Sequence, residues 1–147
     1  DARGYNANIN QMTKREDVRM TLEAYFEEKK GFGVLSTADG DGRVNAAVYS
    51  RPHVMEDGTV AFIMWDRLTH SNLQSNPSAL FLFREEGPGY KGKRLYLTKV
   101  REEEESELLH RLRRKDPSPE KDAKESKFLV FFKIDKEIPL IGPGKDD

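Results

Sequence analysis

GVLSTADGDGRVNAAVYSRPHVMEDGTVAFIMWDRLTHSNLQSNPSALFLF, the stretch Gly33–Phe83, decides the fold. It reads as strand, tight turn, strand, turn, strand, short helix, strand. Asp39-Gly40-Asp41-Gly42 is a hairpin turn, because Asp-Gly tolerates the positive φ such turns need. Val44–Ser50 alternates Val44, Ala46 and Val48 with Asn45, Ala47 and Tyr49, the period of a strand with two different faces. Pro52 ends that ladder or places it on an edge. Glu56-Asp57-Gly58 is a second turn, and Thr59–Met64 a third strand. Thr69–Asn76 reads as a helix that Thr69 caps and Pro77 stops, and Ser78–Phe83 as a buried strand.

Outward from this stretch, Thr13-Lys14-Arg15-Glu16 is a capping box. Val18, Leu22, Tyr25 and Phe26 follow it on one helical face, so 14–30 is expected to be a helix closed by Gly31. Phe32–Ser36 opens the first strand. Beyond the loop Glu86-Gly87-Pro88-Gly89-Tyr90, the residues Arg94–Val100 read as a strand and Arg101–Lys115 as a charged helix. In that helix Glu102–Glu105 early and Arg111–Lys115 late suit the helix dipole and carry no chemistry. Residues 116–126 read as a solvated linker, Phe128–Ile134 as the last strand, and the tail from Ile138 as irregular. The expected organisation is an arm at 1–12, one domain at 13–137 and a tail at 138–147. Its fold class is mainly β with flanking helices, a six-stranded antiparallel split barrel.

Composition narrows the function. The formal net charge is −1, which gives no electrostatic case for nucleic acid or an anionic membrane surface. There is no cysteine, which excludes thiolate metal sites and cysteine nucleophiles. No run is apolar enough for a membrane-spanning helix, so a cytoplasmic location is the simplest expectation. His53, His70 and His110 have no metal-ligand spacing. His53 and His70 read as acid–base or ligand groups, or as polar surface. No Ser-His-Asp signature, phosphate-binding glycine loop or catalytic carboxylate pair stands out. Any redox chemistry would therefore belong to a cofactor.

The order helix, G-V-L-S-T, Asp-Gly turn, strand, E-D-G turn, A-F-I-M, N-L-x-x-N-P helix, S-A-L-F-L-F resembles the pyridoxamine 5′-phosphate oxidase-like family of FMN-binding split barrels. The likeness is to its small FMN-binding members rather than to the oxidase proper. It implies a homodimer with FMN at the subunit interface and a small-molecule electron donor or acceptor. Carried over, Val48, Tyr49, Ser50, Arg51 and Pro52 become one wall of the site. Phe62, Ile63, Met64 and Trp65 become the second wall, and Arg67, Leu68 and Thr69 the phosphate end. Tyr90 and Lys91, after the glycines, belong either to a ligand-facing loop or to a plain hairpin.

The chain departs from the oxidase pattern in lacking cations at Ala47, Leu68 and Thr69. The small FMN-binding proteins share a Thr at Thr69, and Arg51 and Arg67 are the replacement charges. Each has a plainer reading, as strand-end charge for Arg51 and surface cation for Arg67. Trp65 reads first as a core or interface residue and second as a border of the flavin ring. The tail has no counterpart of the oxidase's substrate-binding Arg and His, so oxidase activity on pyridoxamine phosphate is not expected. Three functions remain open: a flavin-dependent oxidoreductase, a non-catalytic flavin or electron-transfer module, and a split barrel that has exchanged FMN for haem, deazaflavin or a protein partner.

Overall fold

The computed structural model describes residues 22–115 and 125–144. The expected capping box and Val18 lie outside them, as does most of the expected linker. A first helix, α1, is described over 22–28. Then come β1 (Gly31–Ala38), β2 (Val44–Val48), β3 (His53–Val54), β4 (Val60–Trp65), α2 (Leu68–Ser75), β5 (Ser78–Glu85), β6 (Gly92–Glu104), α3 (Glu107–Lys115) and β7 (Lys127–Pro139). All strand pairs are antiparallel, in the order β2-β1-β5-β6-β7-β4-β3. The fold is thus the expected mainly β split barrel with flanking helices. Among the described residues the sheet has seven strands rather than six, and it is open.

The two expected turns are in place, built by local side-chain bonds. Asp39 Oδ1 accepts from the amides of Asp41 and Arg43, both at 2.9 Å, and Gly42 supplies the positive φ of 83°. Asp57 Oδ1 accepts from the Thr59 amide at 3.0 Å and its hydroxyl at 2.6 Å. These Asx bonds let the backbone reverse without an orphaned amide.

The open sheet curls. Rings from strands that are not sheet neighbours meet across its concave face: Phe62 of β4 lies 5.0 Å from Phe81 of β5, centroid to centroid. Leu35, Val60, Met64, Phe83, Leu95, Leu97, Val130 and Phe132 complete this core with Leu22 and Phe26 of α1. A second cluster lies on the convex face, where α3 buries Leu109 against Ala61, Leu129 and Phe131. Strands β4 and β7 are therefore covered on both sides. This is why Phe128–Phe132 is a continuous apolar run rather than an alternating one.

Four expectations need correction. The segment Glu102–Glu104 is not helix: β6 runs through Glu104, with Glu102, Glu103 and Glu104 opposite Val130, Leu129 and Phe128. Irregularities between Tyr96 and Leu97 and between Lys99 and Arg101 bend β6, which keeps so long a strand on a curled sheet. The tail is not irregular from Ile138. Strand β7 continues through Pro139, Leu140 is buried, and Arg94 Nε donates to the Pro139 carbonyl at 2.9 Å. Gly31 does not cap α1 but begins β1, where a Cβ would stand 2.1 Å from the Arg84 carbonyl oxygen. Strand β2 ends at Val48, not Ser50, so Tyr49–Pro52 is irregular backbone.

Gly33 controls how that irregular segment enters the site. Its carbonyl accepts from the Tyr49 amide at 3.0 Å, and a Cβ there would meet the Tyr49 carbonyl at 2.5 Å and the Phe81 ring at 2.6 Å. Gly33→Val is expected to lower stability by about 1–3 kcal/mol through overpacking, measured by urea unfolding. A change of midpoint within error would show that the segment yields freely.

Candidate functional site

The edges of the open sheet leave a gap between β2 and β4, and α2 spans it. Its first turn faces a cavity of about 440 Å³, within the size range of small-molecule sites. Val48, Tyr49, Ser50 and Arg51 form one side, Phe62, Ile63, Met64 and Trp65 the other, and Arg67, Leu68 and Thr69 the end. Eleven of the fourteen residues expected from the sequence are thus brought to one cavity. Pro52 is buried beside it without lining it, and Tyr90 and Lys91 are exposed in the β5–β6 loop and do not line it. His53, read from the sequence as an acid–base or ligand group or as polar surface, also lines the cavity; sequence reading did not assign Asn45 and Arg113 to the lining, and Ala47 entered only as a missing cation. Alternation could have placed Asn45 and Ala47, which share a face of β2 with the segment leading to Tyr49. Arg113 depends on where α3 packs, which no local pattern encodes.

The individual roles differ from the simplest expectations. Thr69 is not the cap of α2. The cap is Arg67, in extended backbone and without a side-chain bond to the helix amides. Thr69 is instead buried in the first turn, with Asn45 Nδ2 donating to its hydroxyl at 3.5 Å. Tyr49 lies within reach of that same hydroxyl. Burial pushes the Tyr49 phenol up, while its hydrogen bond with Thr69 and the charge of Arg67 pull partly the other way. Arg51 Nη1 donates to the carbonyls of Phe26 at 2.7 Å and Lys29 at 3.0 Å, closing the end of α1. Arg67 pairs with Glu125 at 3.2 Å and lies 4.4 Å over the Trp65 ring. Trp65 is therefore a cavity wall held flat by a cation.

A polar network around the buried His70 ties α2 to β6. His70 stacks on Phe128 at 3.8 Å between centroids. Its ring nitrogens meet Asp66 Oδ1 at 3.0 Å and Glu102 Oε2 at 2.9 Å. Gln74 Nε2 donates to Glu102 Oε1 at 3.0 Å, and Lys99 also bonds that carboxylate. Burial opposes the charge of Glu102, but the bonds from Lys99, Gln74 and His70 outweigh it and hold its carboxyl at about 2. His70 thus has a structural setting and does not line the cavity. Asn72 Nδ2 donates to Thr37 Oγ1 at 3.1 Å, tying α2 to β1 as well.

No protein-family model matches the sequence, and no curated protein does. Solved structures match across the fold. An FMN-binding protein from Syntrophomonas wolfei subsp. wolfei is 21% identical with a TM-score of 0.69, covering 95% of this chain and 97% of its own. A pyridoxamine 5′-phosphate oxidase candidate from Listeria innocua is 18% identical with a TM-score of 0.58, covering 84% and 98%. HutZ, the haem storage protein from Vibrio cholerae, is 17% identical with a TM-score of 0.57, covering 81% and 92%. The chain has the split-barrel fold of these solved structures. Among the described residues, no helix is long and apolar enough to cross a membrane.

The Glu102 network makes a pH test. A carboxyl lowered in the folded state adds stability that is complete above its ordinary value of 4.5 and is lost as pH falls from there toward about 2. Melting temperature should therefore drop across that window, and Glu102→Gln should flatten the drop. An equal slope in the variant would remove Glu102 from the account. Separately, Asn72→Ala should cost about 1–3 kcal/mol by stranding a buried partner, read by denaturant unfolding.

Proposed function

We propose that this chain is an FMN-binding, flavin-dependent oxidoreductase acting on a small molecule as a homodimer, and not pyridoxamine-phosphate oxidase. The observation that carries the reading is the cavity's division of chemistry. Phe62, Ile63, Met64 and Trp65 offer an apolar and aromatic wall for a planar ring, and arginines with Thr69 lie at its polar end. That donor set fits a flavin bearing a phosphate. Val48–Arg51 would face the ring from the opposite wall, while Arg67, Thr69 and the first amides of α2 would take the phosphate. Bound there, FMN would supply acceptance and delivery of hydride or electrons. The protein would position it, tune it and exclude water.

The dimer reading is supported by edge strand β2. Val44 is 85% exposed and Val48 68%, with Ala46 exposed between them on the same face and Leu68 exposed nearby. An exposed apolar stripe of this kind on a sheet edge favours a partner. A second reading is haem in the same cavity, which His53 lines. It is supported by the likeness to HutZ, and it leaves an electron-transfer or storage role open.

Visible absorption of the protein after FMN or haemin loading and desalting separates these readings. Retained twin flavin bands support the first, and a retained Soret band alone supports the second. Arg67→Glu should weaken FMN binding by at least about tenfold, with Glu125→Gln as the control for loss of the ion pair. Unchanged affinity would remove Arg67 from the phosphate end. Paired Val44→Glu and Val48→Glu substitutions should convert dimers to monomers in light scattering, and a dimer that survives both would move the interface elsewhere.

A further inference from the structure

Tyr49 is the one phenol among the described residues that line the cavity. Its backbone is fixed at β1. The Tyr49 amide donates to the Gly33 carbonyl at 3.0 Å, and the bare Gly33 leaves room for the Tyr49 carbonyl, which a Cβ would meet at 2.5 Å. Its ring is fixed at β4, edge-on to Phe62 with 6.0 Å between centroids and 88° between planes. Its polar end is set by α2. Asn45 Nδ2 can only donate, and it gives its hydrogen to the Thr69 hydroxyl oxygen at 3.5 Å. Burial pushes the Tyr49 phenol up and keeps its hydrogen in place, against the weaker pull of Thr69 and Arg67. A downward pull from Thr69 is the sign of a bond that Thr69 gives to the phenol oxygen. A phenol both donates and accepts, so a bond accepted from Thr69 leaves its own hydrogen to give.

We infer that Tyr49 is a specificity-determining residue: its phenol donates a hydrogen bond to a ring carbonyl or ring nitrogen of a planar ligand, and so favours rings that carry such an acceptor over hydrocarbon rings of the same shape. Phe62, Ile63 and Met64 supply contact area without a donor, so they hold either kind of ring alike. A half-buried donor beside them loses its water when a ring enters, and a ring without an acceptor leaves that hydrogen stranded. A site built to bond a polar group rejects the analogue that lacks it for this reason. The selectivity rests on the small-molecule reading of the cavity. Flavin is one ring of the favoured class, and the probes below are neutral and carry no phosphate.

Menadione, which carries ring carbonyls, and methylnaphthalene, its hydrocarbon counterpart, are the probes, and equilibrium dialysis against the full chain gives the affinity of each. The menadione-to-methylnaphthalene affinity ratio should fall about three- to tenfold in Tyr49→Phe, which keeps the ring on Phe62. It should hold its wild-type value in Tyr90→Phe, whose phenol does not line the cavity. Thr69→Val, which removes the hydroxyl that holds the phenol, should lower the ratio in the same direction and serves if Tyr49→Phe does not fold. Where flavin is retained, riboflavin affinity should fall in Tyr49→Phe by about the same factor. A ratio that falls in Tyr49→Phe, with no retention of FMN or riboflavin, would sustain this inference while the flavin reading failed. Flavin retention with an unaltered ratio, whether both probes weaken equally or neither does, would show that Tyr49 only packs; it would overturn the inference and leave the flavin reading standing. A wild-type chain that binds neither probe would also overturn it.

Discussion

Helix α2 is held by directed polar contacts, and the geometry of the cavity follows from them. Of its eight residues only Leu73 is a buried apolar one, while Thr69, His70 and Asn72 are buried polar groups. The helix therefore cannot dock by a greasy stripe, which would tolerate rotation and sliding. It docks through Asn72 to Thr37 of β1, Asn45 of β2 to Thr69, and His70 with Gln74 to Glu102 of β6. Each such bond contributes only about 1 kcal/mol net, but leaving one partner stranded costs more, about 1–3 kcal/mol. The set consequently specifies orientation more than it adds stability. Because the three anchors lie on three strands, α2 spans the gap that an open sheet leaves.

That gap exists because the sheet curls without closing. Long β6 pairs with β5 on one side and β7 on the other, and its two irregularities give the bend that brings β4 opposite β5. Strands β2 and β3 are left as edges. The concave face fills with aromatic rings, and the convex face of β4 and β7 is sealed by α3. What remains between the edges is a cavity with an apolar floor from β4 and polar rims from α2, from the 49–51 segment and from α3. The rims come from elements that meet only in the folded chain, so the gathering of Arg51, Arg67 and Arg113 around one cavity is a tertiary property of a nearly neutral sequence.

This explains which features were legible in advance. The hairpin turns were legible because Asp39 and Asp57 act on amides within a few residues of themselves. The walls 48–51 and 62–65 and the end 67–69 followed from the order of those turns and from resemblance. The run Glu102–Glu105 misled because its local preference is helical, whereas pairing with Phe128–Val130 and bonding of Glu102 to His70, Gln74 and Lys99 fix an extended course through Glu104. Thr69 carried a familiar capping signal, yet contacts with Asn45 and Tyr49 placed it inside the first turn rather than before it. Arg51 and Gly31 were read from their immediate neighbours, although their partners lie on α1 and β5. Nothing near Arg113 in the chain announces that it will line the same cavity as β2 and β4.

The cavity and the docking of α2 share groups, and this couples ligand occupancy to the fold. Thr69 is at once an anchor for Asn45, a partner of Tyr49 and part of the cavity end. Arg67 caps the helix backbone, covers Trp65 and holds Glu125 at the start of β7. A ligand that binds these groups binds only the folded chain with α2 in place, and so stabilises that docking by mass action. The reverse also holds: a change at Glu102 or Asn72, neither of which lines the cavity, reaches it by loosening α2 rather than by touching a ligand. His70 with Gln74 on one side of α2 and Thr69 with Asn72 on another thus act as one positioning device, both tying the helix to the sheet while its first turn lines the cavity.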